Sequence, residues 1–281
     1  ALKPADRHVD GVVEMIIDAT CAHDIPLTAE RIKAWHGALF PTGRSGLTNI
    51  SVGSWRDDAN GPMQVVSGFL HRRRVHYEAP PAHWLPVEMA GFLTWYETYQ
   101  EIDPLIKAGL AHLWFVTIHP FDDGNGRIAR AIGDMALARA DQGKQRFYSL
   151  SAQIQKERKD YYALLEKTQK GNLDATEWLA WFLACLIRAL QEADQTLSRV
   201  LVKANFWRQW AGTSFNGRQI KVLNRMLDGF DGKLTNKKWA AIGKCSSDTA
   251  LRDMNDLVTR GILHKTEATG RSTSYALNTT P

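Results

Sequence analysis

The chain has 281 residues, 31.6 kDa, with 44% hydrophobic and 23% charged residues, the balance of a globular protein with room for one large core and a small second domain. No apolar run reaches the roughly 20 residues of a membrane-spanning helix, the first residues lack signal-peptide architecture, and Cys21, Cys185 and Cys245 are too few and scattered for a zinc site or disulfide frame. The expectation is a cytoplasmic protein with reduced cysteines. The formal charge of +5 belongs to the C-terminal stretch, where from Ser214 onward 11 Lys+Arg face 6 Asp+Glu, a modest pointer to nucleic-acid contact by that part.

In chain order, apolar spacing over residues 9–20 predicts a helix with Asp10 as its cap. A second helix begins at Thr28, with Ile32, Trp35, Leu39 and Phe40 as its buried stripe. The texture changes from Gly43 to Pro81, where residues 63–68 and 74–78 read as two short strands around a basic turn, or else as a meandering surface loop. Helices follow over residues 86–100 and 104–118. The second is apolar on nearly every side, as a central helix would be, which makes His112 a core histidine. A further helix runs to residue 140 and ends at Gln142-Gly143. Another covers residues 149–170 and includes the pair Tyr161-Tyr162, and a long one runs from near Asp174 to Trp210. Residues 211–217 read as a linker. Beyond it lie three short helices (218–228, 235–242, 246–260) and two strands (262–265, 272–277), joined by residues 267–271.

Between the central helix and the next lies the densest chemistry of the chain: His119-Pro120-Phe121-Asp122-Asp123-Gly124-Asn125-Gly126-Arg127-Ile128-Ala129-Arg130. Gly124 and Gly126 allow close backbone approach to a ligand. A helix starting here points free N–H groups and its positive dipole end into the loop, which favours phosphate. Arg127 and Arg130 share a helix face and suit two phosphates. Asp123 is a hard oxygen donor for magnesium beside them. His119 is the side chain suited to take a hydroxyl proton near neutral pH.

The loop resembles the Fic (filamentation induced by cAMP) family, whose HPFx[DE]GNGRxxR signature is matched at every defined position by His119 to Arg130. The resemblance extends over roughly residues 10–210. It implies an all-α helical bundle with a β-hairpin flap at about 61–78, forming a catalytic domain over residues 1–212. The C-terminal pattern resembles a winged helix-turn-helix, a small α+β domain over residues 213–281.

The activity implied is protein adenylylation: AMP passes from ATP to a Ser, Thr or Tyr hydroxyl of a target protein and pyrophosphate leaves. His119 would be the base and Asp123 the holder of Mg2+. Gly124, Asn125 and Gly126 would bind the α- and β-phosphates, and Arg127 and Arg130 the β- and γ-phosphates. Val65, Val66, Ser67 and Gly68 would register the target backbone as an added strand. Tyr161 and Gln169 fall where the family places groups around adenine and ribose, although Gln169 departs from the common Asn and Tyr161 equally suits a core. In relatives named Doc, which phosphorylate, the glycine supplied here by Gly126 is missing, so the intact motif implies AMP transfer.

Many family members are restrained by an [ST]xxxE[GN] helix whose glutamate pairs with the second arginine. No Ser or Thr here is followed four residues later by Glu, so an inhibitory helix is expected upstream or on another chain. A rival reading is a DNA-binding regulator whose helical body senses a nucleotide. In the transferase reading the C-terminal part would tether the chain to DNA, a partner or a second copy.

Overall fold

The computed structural model describes residues 7–68, 73–142, 146–172, 174–229, 232–266 and 273–278. The chain forms two units that divide near residue 193. In the first, α1 (Arg7–Cys21) begins earlier than the apolar spacing indicates, so Asp10 is not a cap. It lies in the first turn, where its carboxylate complements the helix dipole. Helix α2 (Ala29–Leu39) starts where expected, with the Thr28 hydroxyl accepting from the Arg31 N–H at 3.2 Å. Its buried side is Ile32, Trp35, His36 and Leu39, continued by Phe40.

Two short antiparallel pairs follow. The first, β1 (Arg44–Ser45) with β2 (Thr48–Asn49), carries no apolar alternation by which it could be read from sequence. The second joins β3 (Gln64–Ser67) to β4 (Arg74–Glu78). Val65 pairs with Tyr77 and Val66 with Val75, so His76 is the extra residue of a β-bulge. The basic turn expected between these strands falls largely on residues outside the described ones.

A 3-10 turn (Ala82–Trp84) leads into α3 (Leu85–Thr98), and α4 (Pro104–Ile118) follows. Asp103 caps α4 by accepting from the N–H groups of Leu105 and Ile106, and Pro104 sits at the first position, where no N–H is needed. α4 packs along α5 (Asn125–Asp141), and Ala108, Ala111, Phe115, Ile128, Ile132 and Met135 are buried in one core. The helix expected over residues 149–170 is two helices, α6 (Leu150–Lys156) and α7 (Arg158–Gln169), interrupted at Glu157 (φ −101°, ψ 24°). No Gly or Pro signals the break. At that residue the carboxylate is held by Arg188 at 2.6 Å.

Helix α8 (Thr176–Gln209) begins in the first unit, where Trp178 and Phe182 are buried. Its later turns belong to the second unit, because Phe206 is buried with Val222, Leu223 and Trp239. The boundary thus lies earlier than the Gly-containing stretch at 211–217, which is a turn inside the second unit. That unit continues with α9 (Gly217–Leu227), α10 (Asn236–Gly243) and α11 (Ser247–Thr259), each opened by a side-chain cap from Asn216, Thr235 or Ser246. It ends with the antiparallel strands β5 (Leu263–Lys265) and β6 (Tyr275–Leu277), and Leu234 bridges to Tyr275. Ser272 and the connection over residues 267–271 lie outside the described residues. The three cysteines are free, and among the described residues no helix is long and apolar enough to cross a membrane.

Candidate active site

His119 is the C-cap of α4, in a left-handed conformation (φ 52°, ψ 57°) that turns the chain out of the helix. Such a conformation costs a non-glycine residue about 1 kcal/mol or more, so the surroundings must hold it. Arg56 does much of this. Its guanidinium is buried and donates to the His119 carbonyl (2.8 Å), the Asp58 carboxylate (2.8 Å) and the Pro80 carbonyl (2.6 Å), and its backbone N–H donates to the Pro120 carbonyl (2.9 Å).

The His119 ring meets the Val116 carbonyl through Nδ1 at 3.1 Å. A carbonyl only accepts, so Nδ1 carries the proton and Nε2 keeps its lone pair. Burial pushes the imidazole pKa down to about 4, with Arg56 assisting and the Val116 and Asp123 oxygens opposing. His119 as a residue is neither fully buried nor exposed, and the protein crowded around the ring keeps it neutral. A neutral imidazole with a free Nε2 is a base ready to accept a proton.

Six residues on, at Asn125, α5 begins. Gly124 is its N-cap at φ 84°, a conformation that strains any L side chain, and a Cβ there would lie 2.9 Å from the Phe40 ring. Gly126 differs: its φ is ordinary and a Cβ would meet only the Arg130 guanidinium, at 3.7 Å. Its small size leaves space above the helix end. The first intrahelical acceptor, the Gly124 carbonyl, serves Arg127 and Ile128. The N–H groups of Asn125 and Gly126 therefore stand at the open, positive end of the helix.

Asn125 is buried and its side chain is fully engaged: Oδ1 accepts from the Phe121 N–H (3.0 Å) and Nδ2 donates to the Phe121 carbonyl (2.7 Å). Any contribution of Asn125 to an anion comes from its backbone, while its side chain pins the loop. Phe121 is buried and stacks on His36 with ring centroids 4.0 Å apart. His36 in turn accepts from the Gly53 N–H (3.2 Å) through Nδ1 and donates to the Asp123 carbonyl (3.2 Å) through Nε2. Burial lowers its pKa, in keeping with that neutral tautomer.

The Asp123 carboxylate is 47% exposed, bonds the Ser45 hydroxyl and the Gly124 N–H, and lies 3.8 Å from Arg127. Arg127 also stacks on Phe40 at 4.7 Å. Among the described residues no group of three His, Cys, Asp or Glu side chains is placed to hold a metal. A partly exposed hard carboxylate at a phosphate-receptive helix end fits magnesium held mainly by phosphate oxygens, the usual manner for that ion.

The Arg130 charge opposes, without overcoming, the burial that drives the Tyr161 pKa upward. Tyr161 bonds His112 Nε2 at 2.9 Å. Burial and the Arg130 charge hold His112 neutral, with a pKa of about 3. Tyr161 is 2% exposed and packs against Trp178 and Trp181. It is therefore a core residue that offers no face to a base; the neighbouring Tyr162 is half exposed. Gln169, at the end of α7, reaches the Thr117 hydroxyl at 3.3 Å and the Val116 carbonyl at 3.4 Å, which ties it to the turn that carries His119.

Of the strand residues, Val65 is half-buried, and Val66, Ser67 and Gly68 are exposed. The pair is anchored to α4 by the Tyr77 hydroxyl, which donates to the Thr117 carbonyl at 2.7 Å. Sequence reasoning missed Arg56, His36 and Ser45. A polar residue in the buried stripe of α2 was the available sign for His36; Arg56 and Ser45 had none.

Taken together, a helical bundle presents a neutral histidine beside an anion-receptive helix start carrying two arginines and a carboxylate. Residues 26–137 match the Fic/DOC family. It is 33% identical over 133 residues to a "Uridine 5'-monophosphate transferase" of Xanthomonas campestris, covering 41% of this chain and 21% of that protein. It is 32% identical over 88 residues to "Protein adenylyltransferase fic-1" of Caenorhabditis briggsae, covering 31% and 16%. The chain thus spans about a fifth of the curated relatives it matches. In fold it resembles a Fic family protein from Desulfovibrio desulfuricans (TM-score 0.56, 21% identity, 100% of this chain and 78% of that one). It also resembles a Fic domain-containing protein from Bacteroides thetaiotaomicron (TM-score 0.51, 23% identity, 66% and 69%).

Proposed function

We propose that this chain is a nucleotidyltransferase that moves AMP from ATP to a hydroxyl of a target protein. The observation that carries the reading is the state of His119: Nδ1 is committed to the Val116 carbonyl and Nε2 is free on a neutral ring at the mouth of the loop. In the reaction, Nε2 takes the proton of a target Ser, Thr or Tyr hydroxyl, the hydroxyl oxygen attacks the α-phosphorus, and pyrophosphate leaves. The N–H groups at the start of α5, from Asn125 and Gly126, receive the α- and β-phosphates, with Gly124 turning the chain into them, and Arg127 and Arg130 hold the outer ones. Asp123 with phosphate oxygens would hold Mg2+, which supplies charge neutralisation. Little covalent work falls to the protein, so positioning and charge dominate. Val65 to Gly68 serve as the edge on which a target segment docks.

Tyr161 is buried, and the relative named a uridine monophosphate transferase makes UTP the competing donor. We read the C-terminal unit as a winged helix that docks a partner.

The test is incubation with α-labelled ATP or UTP, magnesium and cell lysate. Label on lysate proteins from ATP, lost in His119→Ala with ATP binding retained, is the expected result. Label from UTP alone would replace the donor, and undiminished labelling in His119→Ala would remove the base.

A further inference from the structure

The bulge on β4 aims His76 at two partners. Its Nε2 lies 2.6 Å from the Ser67 hydroxyl oxygen at the end of β3, and its Nδ1 lies 2.6 Å from a Glu166 carboxylate oxygen on α7. Glu166 also accepts from Arg74 and Lys170, each at 2.8 Å. These donors hold its pKa down at about 2, with Lys170 the largest cause. An ionised carboxylate only accepts, so Nδ1 of a neutral His76 must be the protonated nitrogen. Nε2 then accepts, and the serine O–H donates to it. Nucleophile, base and orienting carboxylate stand in the order and spacing that activate a serine.

Nothing in the loop chemistry uses this relay, since His119 is a base of its own. The relay is nevertheless braced against the loop. Tyr77, next to His76, bonds the Thr117 carbonyl, and Arg56 ties the Pro80 carbonyl to that of His119. Glu166 precedes Gln169, which bonds Thr117, by less than one turn of α7. Ser67 itself is exposed, and Gly68 (φ 93°) turns the chain directly after it.

We propose that Ser67 is a nucleotide acceptor on this chain itself, with His76 as its base and Glu166 as the group that positions His76. The proposal rests on the nucleotidyl-transfer reading above. In the step, a bond forms between Ser67 Oγ and the α-phosphorus of a nucleoside triphosphate. The bond from that phosphorus to the bridging oxygen breaks, and the electron pair leaves with pyrophosphate. The serine proton passes to His76 Nε2, and Glu166 stabilises the imidazolium. The product is a phosphodiester on Ser67, and no oxidant or further reactant is needed.

The experiment is peptide mapping by mass spectrometry of the full chain after incubation with ATP or UTP, magnesium and cell lysate, with α-labelled nucleotide in parallel. The expected result is a nucleoside monophosphate adduct on Ser67 that is absent in Ser67→Ala and kept in Ser67→Thr. His76→Gln should slow its formation about a hundredfold, the scale of a lost general base. Added imidazole should restore it in His76→Gly, which a merely structural role would not allow. Labelled lysate proteins with Ser67 bare would overturn this proposal and leave the transferase reading standing. No label on any protein from either nucleotide would overturn both. Equal rates at Ser67 in wild type and His76→Gln would overturn the relay.

Discussion

Two histidines set side by side show how differently the chain secures its catalytic loop and its strand pair. His119 is tied through Nδ1 to a backbone carbonyl, and the loop around it is pinned by contacts to main-chain atoms: Asn125 on Phe121, Arg56 on His119 and Pro120, His36 on Asp123. His76 is tied through Nδ1 to a carboxylate, and the strand pair around it is fastened at the surface by charged side chains converging on Glu166. A buried bond to the main chain cannot be screened by salt and is costly to break, because it leaves an unsatisfied peptide group. A surface charge cluster loosens with ionic strength and with protonation. The loop is therefore built to stay, and the strand pair to yield.

The sharpest way to break the comparison is Asn125→Ala. Both Phe121 peptide groups lose their partner in a buried setting, and the expected cost is about 3 kcal/mol of stability, read from urea unfolding. A loss of only a few tenths would mean that the loop is not pinned as argued. The next effect is acid lability. His112 and His119 have folded-state values near 3 and 4, and His36 is lowered as well, against about 6.5 in an unfolded chain. Between those limits the unfolded chain binds more protons, so stability rises with pH and falls as pH drops from about 6.5 toward 4. Each histidine contributes up to about 1.4 kcal/mol per pH unit while it is protonated only when unfolded. Unfolding followed at successive pH values checks the sign, and a flat profile from pH 7 to 4.5 would contradict it.

What was legible in the sequence follows the same division between local and distant causes. The cap at Thr28, the proline opening α4 and the spacing from His119 to Arg130 are short-range signals, and helices α2, α4 and α5 lie where they point. The break at Glu157 was not legible, because the residue that holds it, Arg188, lies on another helix. The role of Tyr161 was left open for a like reason: only tertiary packing decides whether an aromatic turns inward. Arg56 has no local pattern at all, yet it spans the His119 and Pro80 carbonyls. The Gly-containing stretch reads locally as a linker, while burial of Phe206 carries the second core back into α8, a packing fact with no short-range sign.

The smallest expected effect tests the yielding half of the comparison. Glu166→Gln removes the charge that Arg74, His76 and Lys170 share but keeps a side chain of the same shape. Because those partners sit at the surface, the global unfolding midpoint should move little. The amides of β3 and β4, in contrast, should exchange faster with solvent, since local opening is governed by the contacts of the opening segment alone. Raising salt in the wild type should act in the same direction and add little to the variant, because the charge it screens is already gone. Exchange at α4 and α5 should not respond to either change. If strand and loop amides accelerate together in Glu166→Gln, the two regions open as one unit and the distinction between a fixed loop and a yielding strand pair fails.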